Sequence, residues 1–148
     1  MCDHAVLPPP ATPTHPASRW EWTYPGTKDQ AAKVRASLRS FLNGSPLADD
    51  AVTLVSELAA NAVSHSRSRL PGGQFTVRAE LYHDGCLHAE VEDQGSSRWD
   101  GDLRAAECPH GLYLLRALST CCGTRPGQHG WITWFTLAAP TARQTPRP

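Results

Sequence analysis

The stretch Leu54–His65, with the sequence LVSELAANAVSH, decides the fold of this chain. On a period of 3.6 residues its valine, leucine and alanine side chains form one broad apolar arc, which predicts a helix packed on a sheet. Glu57 and Asn61 are four residues apart and lie one turn apart at the margin of that arc. Taken alone, the pair fits ordinary solvent-facing side chains. Asparagine is a poor helix former, however, so Asn61 invites a second explanation.

Composition bounds the class of protein. The 148 residues, 40% of them hydrophobic, suffice for one domain with a real core and are too few for two ordinary ones. Fourteen basic residues balance fourteen acidic ones, so no general field attracts nucleic acid or an anionic membrane. The first residues lack the pattern of a secretion signal, and no stretch reaches the roughly 20 apolar residues that span a bilayer. We therefore expect a cytoplasmic protein without direct contact to nucleic acid or membrane.

The cysteines raise the question of disulfides or metal. Their odd count and the missing secretion signal argue against a disulfide framework and favour free thiols at Cys2, Cys86, Cys108, Cys121 and Cys122. A metal set of Cys108, His110, Cys121 and Cys122 is conceivable on paper. It lacks a C-x-x-C pair, and adjacent cysteines on a strand point to opposite faces. A cysteine-based redox or metal sensor therefore stands only as a third functional alternative.

The chain divides into a tail, a domain and a second tail. Five prolines in residues 1–18 predict a disordered tail, residues 19–138 form the domain, and residues 139–148 are again polar and proline-rich. The alternation in Arg19–Tyr24 predicts an edge strand. An apolar stripe then predicts a first helix over about 31–42, capped by Thr27 or Asp29, and the second helix covers about 48–66.

The second half alternates with period two before a third helix. Strands are predicted at 75–82 and 86–93, joined by a hairpin turn at His83–Gly85, and a long loop follows at 94–109. A third helix starts near His110, and two strands follow near 121–125 and 131–137. We therefore predict an α/β fold of the α+β two-layer sandwich type, a mostly antiparallel sheet with three helices on one face. A site is expected between the helices and the long loop.

Three polar clusters fall on fitting elements of that fold. Asp93 ends a strand and can accept a hydrogen bond from an exocyclic amine, while Gly95 admits close approach. Gly111 at a helix start leaves N–H groups for phosphate. Asn61 offers an oxygen to magnesium, and Glu57 can orient or deprotonate a hydroxyl. Each cluster alone is more simply a turn or a helix start, but their joint order favours one nucleotide site.

The same residues resemble a known family. Residues 19–138 are similar to the Bergerat-type ATP-binding domain shared by gyrase, the heat-shock chaperone and sensor histidine kinases, and within it to the small bacterial anti-sigma-factor serine kinases. Glu57–His65 resembles the N box of that family and Asp93–Gly95 its first glycine box. His110–Leu115 resembles the second glycine box, and Trp134–Leu137 the closing strand.

The resemblance implies an ATP-dependent serine/threonine-protein kinase with ATP and Mg²⁺ as cofactors. Its partners would be an anti-anti-sigma factor of the STAS type, which it phosphorylates, and a sigma factor, which it holds inactive. A homodimer is also implied, with the strand Trp20–Tyr24 as a candidate edge. Glu57 would be the catalytic base and Asn61 the metal ligand, and the set that binds the cofactor would be Asn61, His65, Asp93, Gly95, His110, Gly111 and Leu112.

Two departures from the family pattern fall in the long loop. Gly95 is followed by Ser96, Ser97 and Arg98 where a further glycine is usual, and Pro109 replaces the first glycine of the second box. Proline has no N–H, so one phosphate donor is missing. These departures keep a binding alternative open, in which a module with weak or no catalysis sequesters a sigma or anti-anti-sigma partner.

Overall fold

The computed structural model describes residues 15–95 and 110–140, except for the side chains of residues 110–112. The expected tails and the stretch 96–109 fall largely outside these ranges. In chain order the elements are β1 (Ser18–Pro25), α1 (Gln30–Phe41), α2 (Ala48–His65), a 3₁₀ turn (Arg67–Arg69), β2 (Gln74–Leu81), β3 (Leu87–Asp93), α3 (His110–Leu118), β4 (Cys121–Pro126) and β5 (Trp131–Leu137).

The five strands form one antiparallel sheet in the order β1-β2-β3-β5-β4. β1 is an edge strand, as its alternation predicts, and Trp22 on it is 62% exposed. The hairpin turn between β2 and β3 is also confirmed, since Gly85 adopts a φ of +86° there. β3 lies in the middle of the sheet, so its ends are fixed by neighbours on both sides.

One face of the sheet carries the apolar core. Phe75, Val77, Ala89 and Phe135 on this face are at most 1% exposed, and α2 packs over them. The predicted apolar arc of α2 is confirmed, because its buried residues are Ala51, Val52, Leu54, Val55, Leu58, Ala59, Ala62 and Val63. At the β1 edge, Trp20 stacks on Phe41 of α1 with ring centroids 6.3 Å apart. The two-layer sandwich with helices on one face is therefore confirmed.

The other face of the sheet is held by ion pairs instead of a second helix layer. Arg78 bridges Glu92 at 2.7 Å, Glu21 at 3.0 Å and Glu90 at 3.2 Å. Glu90 is also bound by Arg125 at 2.7 Å and contacts His88. Burial alone would raise the pKa of Glu90, but the hydrogen bonds from His88 and Arg125 lower it to about 2. Glu90 is therefore ionised and paired at neutral pH.

One of the described cysteines differs from the expectation of free thiols. Cys86 and Cys121 are free, but Cys122 is disulfide-bonded. Five cysteines can still form a disulfide, because an odd number only requires that at least one thiol stays unpaired. The odd number of cysteines was therefore a poor argument for free thiols at every position. The partner of Cys122 lies outside the described residues. Within the described ranges no group of three or more His, Cys, Asp or Glu side chains is placed to hold a metal.

Among the helices in the described part of the chain, none is both long and apolar enough to cross a membrane.

Replacing Arg78 tests whether the outer face depends on its ion pairs. Arg78→Met leaves Glu92, whose side chain is 2% exposed, without a guanidinium partner. We expect the free energy of unfolding in urea to fall by about 2–3 kcal/mol, somewhat below the cost of breaking a fully buried pair because Arg78 is itself 28% exposed. Arg39→Met is the control, since its pair with Asp49 is exposed and should change stability by less than about 0.5 kcal/mol. Equal losses in the two variants would contradict the assignment.

Candidate nucleotide site

The edge of α2 carries the first group of candidate residues. Glu57, Asn61 and His65 occupy successive turns, with Glu57 and Asn61 half-buried and His65 exposed at the helix end. Their neighbours Leu58 and Ala62 are in the core, which fixes the rotation of α2 about its axis and keeps Glu57 and Asn61 beside the sheet. Among the described residues, no side chain forms a hydrogen bond or ion pair with Glu57 or Asn61. Both polar groups therefore remain available to a ligand.

The way α2 ends determines what lies beside it. Ser66 is extended, with φ −102° and ψ 171°, which stops the helix after His65. Its hydroxyl donates to the carbonyl of Ala62 at 2.7 Å and accepts from the N–H of Ser68 at 3.0 Å. Capping both elements this way starts the 3₁₀ turn Arg67–Arg69 directly after the helix. The backbone of Ser68 is wedged against Gly26 and Gly73, where an added Cβ would lie 1.7 and 2.1 Å from the Ser68 carbonyl oxygen.

The 3₁₀ turn is hydrogen-bonded to the segment Asp93–Gly95 that follows β3. The N–H of Arg67 donates to the carbonyl of Gly95 at 2.6 Å, and the N–H of Gln94 donates to the Ser68 hydroxyl at 3.0 Å. The Gln94 side chain is fixed in turn, because its Oε1 accepts from the N–H of Gln74 at 3.0 Å. The structure thus brings the Asp93 cluster to the C-terminal end of α2.

Asp93 is placed to accept a hydrogen bond from a ligand. It alternates with Val91 and Ala89 of the core, so it lies on the helix-facing side of the sheet at the end of β3. The N–H of Gly95 donates to its Oδ1 at 2.7 Å. Burial raises the pKa of Asp93, with the Gly95 hydrogen bond opposing and the charge of Glu92 adding to the rise. A half-buried carboxylate with one bound oxygen suits an amine donor such as that of adenine.

Gly95 is required for its backbone conformation. Its φ is +75°, which lies in a region of backbone conformation that residues other than glycine rarely adopt. An added Cβ would meet Trp131 Cδ1 at 3.6 Å, which is ordinary contact. The sequence predicts a glycine here that admits the close approach of a ligand. In the structure Gly95 also turns the chain, so that its own N–H donates a hydrogen bond to the Asp93 carboxylate.

The stretch that resembles the second glycine box, His110–Leu115, lies at the start of α3. This helix begins at His110, so Gly111 and Leu112 are in its first turn, and α3 packs against α2. The first N–H groups of a helix have no partner within it and favour anions. The side chains of His110 and Leu112 are outside the described atoms, as are residues Ser97 and Pro109.

Sequence reasoning missed the residues that hold the site together. Ser66 and Ser68 were not singled out, although a Ser-x-Ser spacing after a helix is a signal for local capping. Gly130 precedes the last predicted strand and was not singled out either, yet a Cβ there would lie 2.3 Å from the carbonyl oxygen of Asp93. Such close approaches depend on distant parts of the chain and leave little trace in local sequence.

Ser68→Ala tests the connection between α2 and the Asp93 segment. The change removes the acceptor of the Gln94 N–H while Ser68 is fully buried, so we expect a loss of about 1–2 kcal/mol in the free energy of unfolding. The amide of Gln94 should also exchange faster with solvent deuterium. Ser64→Ala, at an exposed position of the same region, serves as the control. Unchanged exchange at Gln94 in the Ser68 variant would contradict the connection.

Comparison with known proteins supports this fold. The crystal structure of the RsbU and RsbW domains of Rv1364c from Mycobacterium tuberculosis is similar to this chain, with a TM-score of 0.66 and 27% sequence identity over 84% of the chain. The match covers 33% of that chain, so the present chain spans about a third of its length. No curated protein sequence matches.

The family model for the histidine kinase-like ATPase domain matches residues 24–137, which is most of the chain and includes Glu57, Asn61, Asp93 and Gly111. The antiparallel five-stranded sheet with three helices is the fold expected of this family, as the resemblance implied. The chain therefore belongs to the histidine kinase-like ATPase domain family.

Proposed function

We propose that this chain is an ATP-dependent serine/threonine-protein kinase that phosphorylates an anti-anti-sigma partner of the STAS type and thereby controls the availability of a sigma factor. The observation that carries the proposal is the hydrogen bond from Arg67 N–H to the carbonyl of Gly95 at 2.6 Å. It joins the helix of Glu57 and Asn61 to the segment of Asp93. A site built from both can hold the base and the phosphates of one nucleotide.

Asp93 and Gly95 are assigned to the base. The carboxylate of Asp93 accepts a hydrogen bond from the exocyclic amine, and the Gly95 N–H holds that carboxylate in place through Oδ1. Guanine presents a carbonyl where adenine presents this amine, so two acceptors would face each other. This arrangement favours ATP over GTP.

Asn61, His65 and the first turn of α3 are assigned to the phosphates and the metal. Bound Mg²⁺ would neutralise phosphate charge, and the side-chain oxygen of Asn61 is a hard ligand of the kind it prefers. The N–H groups of Gly111 and Leu112 lie in the first turn of a helix, where anions are favoured. His65 and His110 are the residues at the end of α2 and the start of α3, and we assign them to the rim of the phosphate site.

Glu57 is assigned the role of base. Its carboxylate accepts the proton of a serine hydroxyl on the partner while the serine oxygen forms a bond to the γ-phosphorus and the bond to the β-phosphate oxygen breaks. The products are phosphoserine and ADP, and the proton leaves Glu57 for solvent. The half-buried position of Glu57 one turn before Asn61 supports this role.

The similarity to a solved chain that carries RsbU and RsbW domains supports a role in partner regulation. Pro109 favours a second candidate function, because a proline immediately before α3 removes one N–H from the phosphate end. In that case the chain acts by sequestering its partner with little or no phosphoryl transfer.

Phosphoryl transfer in vitro tests the kinase. With Mg²⁺, ATP and candidate STAS partners, we expect phosphoserine on a partner, and Glu57→Gln should slow transfer at least about 100-fold because it removes the base. ATP affinity should persist in this variant. Asp50→Asn, an exposed acid earlier on the same helix, is the control and should transfer normally.

Two results would contradict the proposal. Full transfer by Glu57→Gln would exclude Glu57 as the base. Absence of transfer to every STAS partner, with a partner still bound by the protein, would exclude the kinase and favour the sequestering module.

A further inference from the structure

Trp131 lies at the same end of the sheet as Asp93. It is the first residue of β5 and is directly opposite Asp93 in the antiparallel register. Residues paired in this way point to the same face, with Cβ atoms about 4.5–5.5 Å apart. Phe135 and Leu137 of the same alternation are in the core, so Trp131 also lies on the helix-facing side. Its indole therefore borders the carboxylate that we assign to the base.

Gly130 brings Trp131 unusually close to the Asp93 segment. An added Cβ at Gly130 would lie 2.3 Å from the Asp93 carbonyl oxygen and 2.7 Å from the Gly95 nitrogen. The Trp131 ring lies close to the same segment, because its Cδ1 is 3.6 Å from the position that a Cβ of Gly95 would occupy. The turn before β5 and the segment after β3 thus form one continuous wall.

The turn that carries Trp131 is itself fixed. The N–H of Gly127 donates to the carbonyl of Gly130 at 2.8 Å, and the N–H of His129 donates to Glu92 Oε2 at 2.8 Å. Burial raises the pKa of Glu92, but the hydrogen bonds from His129 and Arg78 outweigh it and lower the pKa. Glu92 is therefore ionised at neutral pH and anchors the turn to β3, so Trp131 is held in place before any ligand arrives.

The Trp131 side chain is only partly buried in spite of its place on the core side of the sheet. Among the rings of the described chain, Trp20 stacks on Phe41 and Trp134 stacks on His88, whereas Trp131 takes part in no such stack. The indole ring of Trp131 is therefore available to stack on a nucleotide base bound beside Asp93, since bases stack on indole rings.

We propose that Trp131 contacts the base of the bound nucleotide and contributes a large share of its affinity, an inference that rests on the proposed assignment of the base to Asp93. Asp93 selects the base by its edge through a hydrogen bond, and Trp131 holds the base through its ring. Because stacking depends little on the identity of the base, Trp131 supplies affinity while Asp93 supplies the choice of adenine.

Trp131→Ala and Trp131→Phe separate this contact from a structural role. We expect Trp131→Ala to weaken ATP binding in calorimetry about 10-fold or more, the scale of one lost base stack. Trp131→Phe should stay within about 3-fold of the parent because it keeps an aromatic ring. Binding of magnesium tripolyphosphate, which has no base, should be unchanged in both variants.

Fluorescence gives an independent measurement. ATP should change the tryptophan emission of the parent protein, and this change should be largely lost in Trp131→Phe. Trp134→Phe is the matched control, three residues along the same strand on the opposite face, where its ring lies over Gly123 and against His88. That variant should keep the response to ATP.

The outcomes distinguish this inference from the proposed function. If Asp93→Asn weakens ATP binding but Trp131→Ala binds ATP as well as or better than the parent, the contact is wrong and the nucleotide site stands. Equal weakening of ATP and tripolyphosphate in Trp131→Ala, or a full fluorescence response in Trp131→Phe, also overturns the contact. If the parent protein binds no ATP, the proposed function itself fails.

Discussion

The candidate site depends on one backbone hydrogen bond, from the N–H of Arg67 to the carbonyl of Gly95. This bond joins the turn after α2 to the segment after β3. Ser66 makes the bond possible by stopping the helix, and Ser68 supports it by accepting from Gln94. Glu57 and Asn61 are held by the core contacts of α2, while Asp93 is held by the central strand. This bond therefore helps to fix the position of one half of the site relative to the other.

β3 serves both faces of the sheet at once. Glu90 and Glu92 point away from the helices into the ion pairs of Arg78 and Arg125, and Asp93 points toward the helices. Hydrogen bonds from cationic side chains and from a backbone N–H lower the pKa values of Glu90 and Glu92, whereas burial raises the pKa of Asp93. Because side chains alternate between the two faces of a strand, Glu92 takes part in the structural ion pairs and the adjacent Asp93 faces the candidate site. The same alternation places Trp131 beside Asp93 and Trp134 on the opposite face.

Much of this fold follows from local patterns in the sequence. The apolar period of α2, the alternation of the strands and the turn at Gly85 are properties of adjacent residues, and each was predicted close to its observed position. The meeting of α2 with Asp93 followed from the family resemblance. The contacts of Ser68 with Gln94 and of Gly130 with Asp93 could not be predicted, because they join segments far apart in the chain and no local sequence pattern specifies such a pairing. The disulfide of Cys122 was missed because a count of cysteines does not fix their pairing.

We infer that the edge of α2 and the Asp93 segment form a single nucleotide site. A titration with magnesium ATP followed by ¹⁵N–¹H nuclear magnetic resonance tests it most directly, because it observes both halves in one sample. The resonances of the Gly95 backbone amide and the Asn61 side-chain amide should shift together with a single dissociation constant. Shifts at one position alone, or different dissociation constants at the two, would contradict it.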